Sequence, residues 1–572
     1  MIQAVEKNWT FSPPIPDDIN REFERYPKLF RQVLFNRGFM DSKSAEKFLN
    51  TDYELHDPFL LPDMEIASNL ILSAIEKKKR IVVFGDYDVD GVTATVLLIE
   101  TLWKLGGNAM KFIPNRFKHG YGFSFDALED LQELDPDLII TVDCGVRSVD
   151  EIAAVKKKGI NIVITDHHQP HFELPPADAI ICPKIPESTY PNQDLAGVGL
   201  AYKLAQAITR NTNENIDPDD QLDLVALGTI ADLAKLVPEN RLLVNRGLKI
   251  IHSGKRPGLK ALADVCGLKI HGITAENIGF ILGPRLNAAG RLKSADDAYQ
   301  LLIAEDRIQA APFAISLDQL NRDRQTVTRE IQKKAEKVFA VSKQEWVLFN
   351  SNEEYNEGVV GLVASRLAET YYRPAIIGNI KNDVIRASCR SIPEINITEL
   401  LDQCEDLLIQ HGGHAMAAGL SIQIDQVDKF LERISGLVCD QLKAQQVNPT
   451  INGECEASLF DLEPELLKSI ERLEPTGEGN PKPLFISRRV QVLYPKTVGA
   501  NNDHLKFSIR SKYPVESTSH GSISFNAIAF WRGYQANQLE DGSMVDILYS
   551  FEKNYYNGRE SLQLNIQDIK LL

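Results

Sequence analysis

The sequence predicts an α/β protein: a doubly wound parallel sheet, a long helix leading to a second lobe, and a small C-terminal β-barrel. Three observations carry this. Apolar runs that end in acids or imidazoles alternate with helix-like stretches through the N-terminal half. A charged amphipathic stretch near residue 325 has helical spacing. From about residue 450, short alternating strands are punctuated by turn signals.

The first strand is "RIVVFG", rich in β-branched and aromatic residues, and it runs into "DYDVDG" with Asp86, Asp88 and Asp90. An EF-hand loop would place a bidentate acid at position 97, which is Leu97, and would follow a helix rather than a strand. A solvated turn is also a poor account, since three carboxylates in five residues repel one another unless cations neutralise them. "TATVLLIETLWKL" follows as a helix. The second strand, "PDLIITVDCGV", ends at Asp143, and after the helical "SVDEIAAVKKKG" the third, "INIVITDHHQP", ends at Asp166, His167 and His168. "ADAIICPK" is a further short run. Ligands of such sheets bind beyond the carboxyl ends of the strands, so these tips are expected to share one crevice. Asp232, inside the apolar "LVALGTIADLAKL", is expected there too, because a buried aspartate needs a cation partner. Carboxylates with one or two imidazoles and no thiolates suit Mn²⁺ or Mg²⁺, and four or five acids supply ligands for two ions. His167 and His168, as neighbours at a strand end, are expected to point in opposite directions, with one ligating.

With 572 residues, the chain is expected to hold several domains. Seven cysteines, an odd count without a CxxC pair, exclude a disulfide framework and a thiolate zinc site. No apolar run reaches the roughly 18 residues of a membrane span. The first residues carry neither a basic start nor an apolar core, so a cytoplasmic protein without a membrane role is expected. The net charge of −16 opposes broad affinity for polyanions, so such a substrate requires a local basic groove or bound cations.

That groove has candidates. "KFIPNRFKHGYG" combines Arg116 and its neighbouring lysines with Tyr121, offering charge and a stacking face. "GPRLNAAGRL" presents Arg285, Asn287 and Arg291 among small residues, and "RASCRS" presents Arg390 and Ser391. In "HGGHAMAAG", Gly412 and Gly413 beside His414 read as an anion nest rather than a metal site. The helix "SLDQLNRDRQTVTREIQKKAEKVFAV" has its apolar face at Leu317, Leu320, Val327, Ile331, Ala335 and Val338. It joins two lobes, and a groove between them too narrow for duplex DNA would select single strands. In the barrel, which includes an Asn557-Gly558 hairpin signal, Phe525 and Phe530 are expected to fill the interior.

"DYDVDG", "VDCG", "TDHHQP" and "GTIADL", in order and widely spaced, resemble the DHH phosphoesterase superfamily. "FIPNRFKHGYG", "GPRLNAAGRL", "NEGVVGLVASRL", "HGGHAMAAGLSI" and "PTGEGNPKPLF" narrow the resemblance to the bacterial RecJ single-strand-specific exonuclease family, from about residue 50 onward. The resemblance implies 5′-to-3′ hydrolysis of single-stranded DNA to mononucleotides in repair and recombination, with two Mn²⁺ or Mg²⁺ ions. It implies ligation by Asp88, Asp90, Asp143, His167 and Asp232, with Asp86 as a further acid and Asp166 supporting the histidines; His168 and Arg390 are the candidates for holding the scissile or terminal phosphate. Where the superfamily often has a histidine ligand, this chain has Phe84. The implied division is an N-terminal cap segment (1–65), a DHH catalytic domain (66–250), a helical region with the connecting helix (251–340), a DHH-associated substrate-binding domain (341–445) and an OB-fold (450–572). A single-strand-binding protein and a helicase are the implied partners of a monomer. The rival readings are a superfamily hydrolase of short oligonucleotides, cyclic dinucleotides or pyrophosphate, and a catalytically silent replication scaffold.

Overall fold

The computed structural model describes residues 7–120, 122–210, 212, 216–342, 345–443, 447–499, 502–512, 521–556 and 559–572. Tyr121 and the Asn557-Gly558 turn lie outside the described residues. The chain divides into two units, Leu55–Pro449 and the pair of segments Lys7–Glu54 with Thr450–Leu572.

The first unit opens with a five-stranded, all-parallel sheet: β1 (Arg80–Gly85), β2 (Asn108–Phe112), β3 (Leu138–Val142), β4 (Asn161–Thr165) and β5 (Ala179–Ile181), in the order β2-β1-β3-β4-β5. Both faces are covered, as the continuous apolar runs require. Along β1, Ile81 and Val83 enter one core while Val82 and Phe84 enter the other. Phe84 is fully buried and stacks on Phe112, 5.3 Å between ring centroids. It is a core residue, and this position offers no imidazole.

Three helices bring the remaining pieces to the strand tips: α1 (Val89–Lys104), α2 (Gly197–Arg210) and α3 (Leu222–Ala231). Helix α4 (Gly283–Leu292) follows a π-helical turn, and the long α5 (Arg307–Val341) buries Leu317, Leu320, Ile331 and Ala335, while Val338 stays 39% exposed. Beyond it, a second sheet orders β6 (Leu348–Asn352), β7 (Ala375–Lys381), β8 (Val384–Arg390), β9 (Gln410–His414) and β10 (Ala417–Gln423) as β9-β10-β8-β7-β6. Helix α6 (Glu357–Tyr371) packs on β7 and β8. Past α6, the same face opens into a cavity of about 510 Å³ lined by Arg386, Ser388, Gly412, Gly419 and Ser421.

In the second unit, five strands close into a barrel: Phe485–Val498, His504–Lys512, Ser522–Ala529, Arg559–Leu571 and Met544–Tyr556, the last pairing back to the first. Of the segment expected as an N-terminal cap (1–65), Lys7–Glu54 groups with this unit. Asn8–Phe11 pairs in parallel with Thr450–Gly453, and Phe23, Phe30, Val33 and Leu34 share one core with Phe485, Val492 and Ile547. Phe525 is buried in that core as expected, but Phe530 is 49% exposed. It lies just past the end of its strand, where in-out alternation no longer applies, and it meets His504 edge-on at 5.3 Å. Among the described residues, no helix is long and apolar enough to cross a membrane.

Candidate metal centre and nucleic-acid cleft

Each strand tip delivers an acid by a local device. Asp88 caps α1, its Oδ1 accepting from Gly91 N at 3.1 Å. Gly91 is required because a Cβ there would lie 2.5 Å from the Asp86 carbonyl oxygen. Asp90, in the first turn of α1 and only 1% exposed, accepts from Gly197 N at 2.6 Å and Val198 N at 2.9 Å at the start of α2. Asp143, immediately after β3, has φ +62°, a conformation costing on the order of 1 kcal/mol or more for a non-glycine residue. Asp232 is the C-cap of α3.

These side chains meet. His167 Nε2 lies 3.0 Å from Asp143 Oδ1, 3.7 Å from Asp232 Oδ2 and 3.9 Å from Asp90 Oδ2. Asp143 Oδ1 and His167 Nε2 are buried, and despite their proximity neither is in hydrogen-bond geometry with any partner. A cation between them would satisfy both, and the oxygen-and-imidazole donor set suits Mn²⁺ or Mg²⁺. A second group, Asp86, Asp88 and Asp143, shares Asp143 with the first.

The electrostatics agree. Burial, then the charges of Asp90, Asp88 and Asp86, push Asp143 well above the usual carboxylate range. Burial and then Asp88 push Asp86 up to about 8 and Asp232 to about 7. Burial and then cationic His168 push His167 down to about 3, keeping it neutral as a ligand must be. Asp166 plays another part: its Oδ2 accepts from Val146 N and its Oδ1 accepts from His168 N, with His168 Nδ1 at 2.7 Å. Burial opposes charge on both partners, but their hydrogen bond and attraction prevail, lowering Asp166 and raising His168. The two histidines do not point apart: their rings are 4.5 Å from centroid to centroid. They follow the end of β4, where the pleat that would separate them has stopped.

Beside the acids, a polar cavity of about 160 Å³ is lined by Tyr87, Asp88, Arg116, Asp232, Asn287 and Arg291. Arg116 lies over the Tyr87 ring at 4.3 Å, and its buried Nε has no hydrogen-bond partner. Burial, then neighbouring Arg116 and Arg324, push Arg291 down to about 10. Asn287 Oδ1 accepts from Val89 N at 3.2 Å, tying α4 to the start of α1.

Family models match in order along the chain: the DHH family, N-terminal domain, over residues 80–229, the DHHA1 domain over 339–439 and the RecJ OB domain over 454–568. The single-stranded-DNA-specific exonuclease RecJ of Bacillus subtilis (strain 168) is 36% identical over 571 residues, covering 99% of this chain and 71% of the relative. That of Haemophilus influenzae is 34% identical over 580 residues, covering 96% and 97%. The chain belongs to the RecJ family. Its fold matches the crystal structure of RecJ in complex with Mn²⁺ from Thermus thermophilus with a TM-score of 0.82 at 27% identity, covering 98% of this chain and 79% of that one. The corresponding complex with Mg²⁺ gives 0.75 at 25% identity, covering 98% and 78%.

In this RecJ-family chain, the expected substrate residues divide. Arg116, Asn287 and Arg291 line the cavity. Arg285 does not: its Nε is held by Asp318 at 2.9 Å and its Nη1 by the Ile281 carbonyl. Ser391 is buried and donates to the Ile395 carbonyl at 2.7 Å, locking a turn rather than facing a ligand. Arg390 is half-buried at the end of β8, its Nη1 donating to the Cys389 carbonyl. Gly412 and Gly413 belong to the edge strand β9, paired with Gly419 and Ala418, so they form an extended rim and not a turn-like nest. His414 is lowered by burial and then by the charges of Arg147, His168 and Lys184. Sequence reasoning passed over Gly197, Arg147 and Lys184. The last stands directly after the short run "ADAIICP", at a strand tip, which is the signal that would have found it.

Proposed function

We propose that the chain is a metal-dependent exonuclease that degrades single-stranded DNA from the 5′ end to mononucleotides, in DNA repair and recombination. The observation that carries this reading is the convergence of Asp90, Asp143, His167 and Asp232 from four separate elements around two buried, unpartnered ligand atoms. Asp90, Asp143, His167 and Asp232 would hold one ion, and Asp86, Asp88 and Asp143 a second, weaker one that lacks an imidazole because Phe84 is in the core. Bound there, Mn²⁺ or Mg²⁺ makes water nucleophilic near neutral pH and offsets charge on the attacking and leaving oxygens. Asp166 holds His168 charged and oriented toward the scissile phosphate. Arg116 and Arg291, backed by Asn287, take the strand's phosphates, and Arg390 with His414 closes the cleft from the second domain.

In this reading, residues 66–250 catalyse, 251–340 join the lobes, 341–445 bind substrate and 450–572 bind the extended strand. The enzyme acts as a cytoplasmic monomer on strands opened by a helicase and covered by single-strand-binding protein. The test is digestion of single strands labelled at either end, with and without a 5′-phosphate, in Mn²⁺ and in EDTA. Labelled mononucleotide should appear first from the 5′ label, and only with metal. Release that persists in EDTA, or begins at the 3′ label, overturns the reading.

A further inference from the structure

The parallel sheet sorts charge along one edge. Its central strands β1, β3 and β4 end in acids, whereas the outer strands lead to cations: Arg116 beyond β2 and Lys184 beyond β5. The register pairs Thr165 with Ile181, so His168 and Lys184, each three residues further on, leave the sheet in step. The chain keeps them together past the strands. Asp166 N donates to the Ile181 carbonyl at 3.2 Å, and Cys182 Sγ lies 3.7 Å from the His168 carbonyl oxygen.

Arg147 enters from the loop after β3. Val146 N donates to Asp166 Oδ2, and the next residue's Nε donates to the Gln169 carbonyl at 2.6 Å, fixing that guanidinium on the loop that carries His168. His414 belongs to the second domain, and burial, then the charges of Arg147, His168 and Lys184, lower it. Among the described residues, neither Arg147 nor Lys184 forms a direct ion pair, in a chain with a net charge of −16, although the charge of Lys184 reaches Asp232. Basic groups without a direct ion pair, beside the strand tips, are complementary to an anion.

We propose that Lys184, with Arg147, forms a backbone-phosphate subsite on the flank of the metal centre opposite Arg116 and Arg291, so that a single strand crosses the acids between two cationic holds. The proposal rests on the single-strand reading above and adds the second hold to it.

The test uses the full chain and a fluorescein-labelled 20-mer oligodeoxythymidylate, with affinity measured in the Asp143→Asn background to suppress turnover. Lys184→Ala should weaken binding about tenfold at 0.1 M salt and reduce the slope of log Kd against log salt by about one ion. Lys184→Arg should recover most of both, and Arg147→Ala should weaken binding in the same sense. Mn²⁺ affinity, measured by calorimetry in the otherwise unsubstituted chain, should not fall with Lys184→Ala. Unaltered DNA affinity and slope overturn the proposal, as does a fall in Mn²⁺ affinity, which would mean that Lys184 acts through the metal centre. A parent chain that neither binds the oligonucleotide nor releases nucleotides overturns the functional reading itself, and that is seen before any variant is compared.

Discussion

Asp143 joins the acids of the β1 tip to the imidazole of His167, belonging to candidate ligand groups with each, and holds a left-handed backbone there. Asp143→Asn retains the shape and tolerates positive φ, so its effect reads charge. Metal-dependent nuclease activity should fall by more than the roughly 10–100-fold typical of losing an outer partner of a metal ligand, with the circular dichroism spectrum unchanged. The raised acids give a second outcome. In metal-free protein, the pKa of about 8 at Asp86 and about 7 at Asp232 lies above the ordinary 3.8. The folded state therefore holds protons that the unfolded chain has released, and this contribution to stability is lost as pH rises through 7 and 8. In EDTA the Tm should fall across that window, and the gain in Tm from Mn²⁺ should grow across it, read by thermal denaturation with and without metal. A pH-independent gain would contradict the burial of these carboxylates. The acids were legible in the sequence because carboxylates crowded directly after a core strand repel one another unless a cation gathers them. Arg285 and Ser391 were misread because their partners, Asp318 and the Ile395 carbonyl, are set by packing rather than by local pattern.

At the scale of elements, the parallel sheet and its tips follow from strand periodicity alone, but the wall behind the tips does not. Gly197, the first residue of α2, donates its N–H to Asp90, and a Cβ on it would lie 2.6 Å from Asp143 Cβ. Gly199, two residues on and equally buried, would meet only the Leu195 side chain, at 3.2 Å. Gly197→Ala should therefore lower Mn²⁺ affinity by about 10–100-fold, partly recovered in activity assays by raising Mn²⁺, while Gly199→Ala should leave it near the parent value. Calorimetric titration of both variants checks this. Equal losses would show that the helix merely tolerates no bulk. No sequence pattern marks one of these glycines above the other, because the difference lies in what faces each across the fold.

For the whole molecule, the grouping of the first fifty residues was the part least visible from sequence. Helix Lys28–Asn36 shows an apolar face, but a stripe of leucine and phenylalanine does not say which distant core receives it. Phe23, Phe30 and Leu34 are fully buried with the barrel, each contributing about 1.5–3 kcal/mol. Half-buried Arg37 pairs with Glu454 at 2.9 Å. A chain lacking residues 1–54 should keep a trypsin-resistant body spanning 55–449 and lose resistance across 450–572, as mass spectrometry of the digest would show. A barrel that stays resistant would mean that the N-terminal segment is dispensable to it. The same arrangement sets an order of events at the ribosome. The two halves of the barrel unit are separated by roughly 400 residues of intervening chain, or about 20–80 s of synthesis at typical elongation rates. During that wait the nuclease body can complete itself, while Phe23 and Phe30 remain uncovered and open to chaperone capture. Maturation therefore proceeds from the middle outward, and a transcript truncated before the barrel would yield a finished catalytic core trailing an orphaned, aggregation-prone leader.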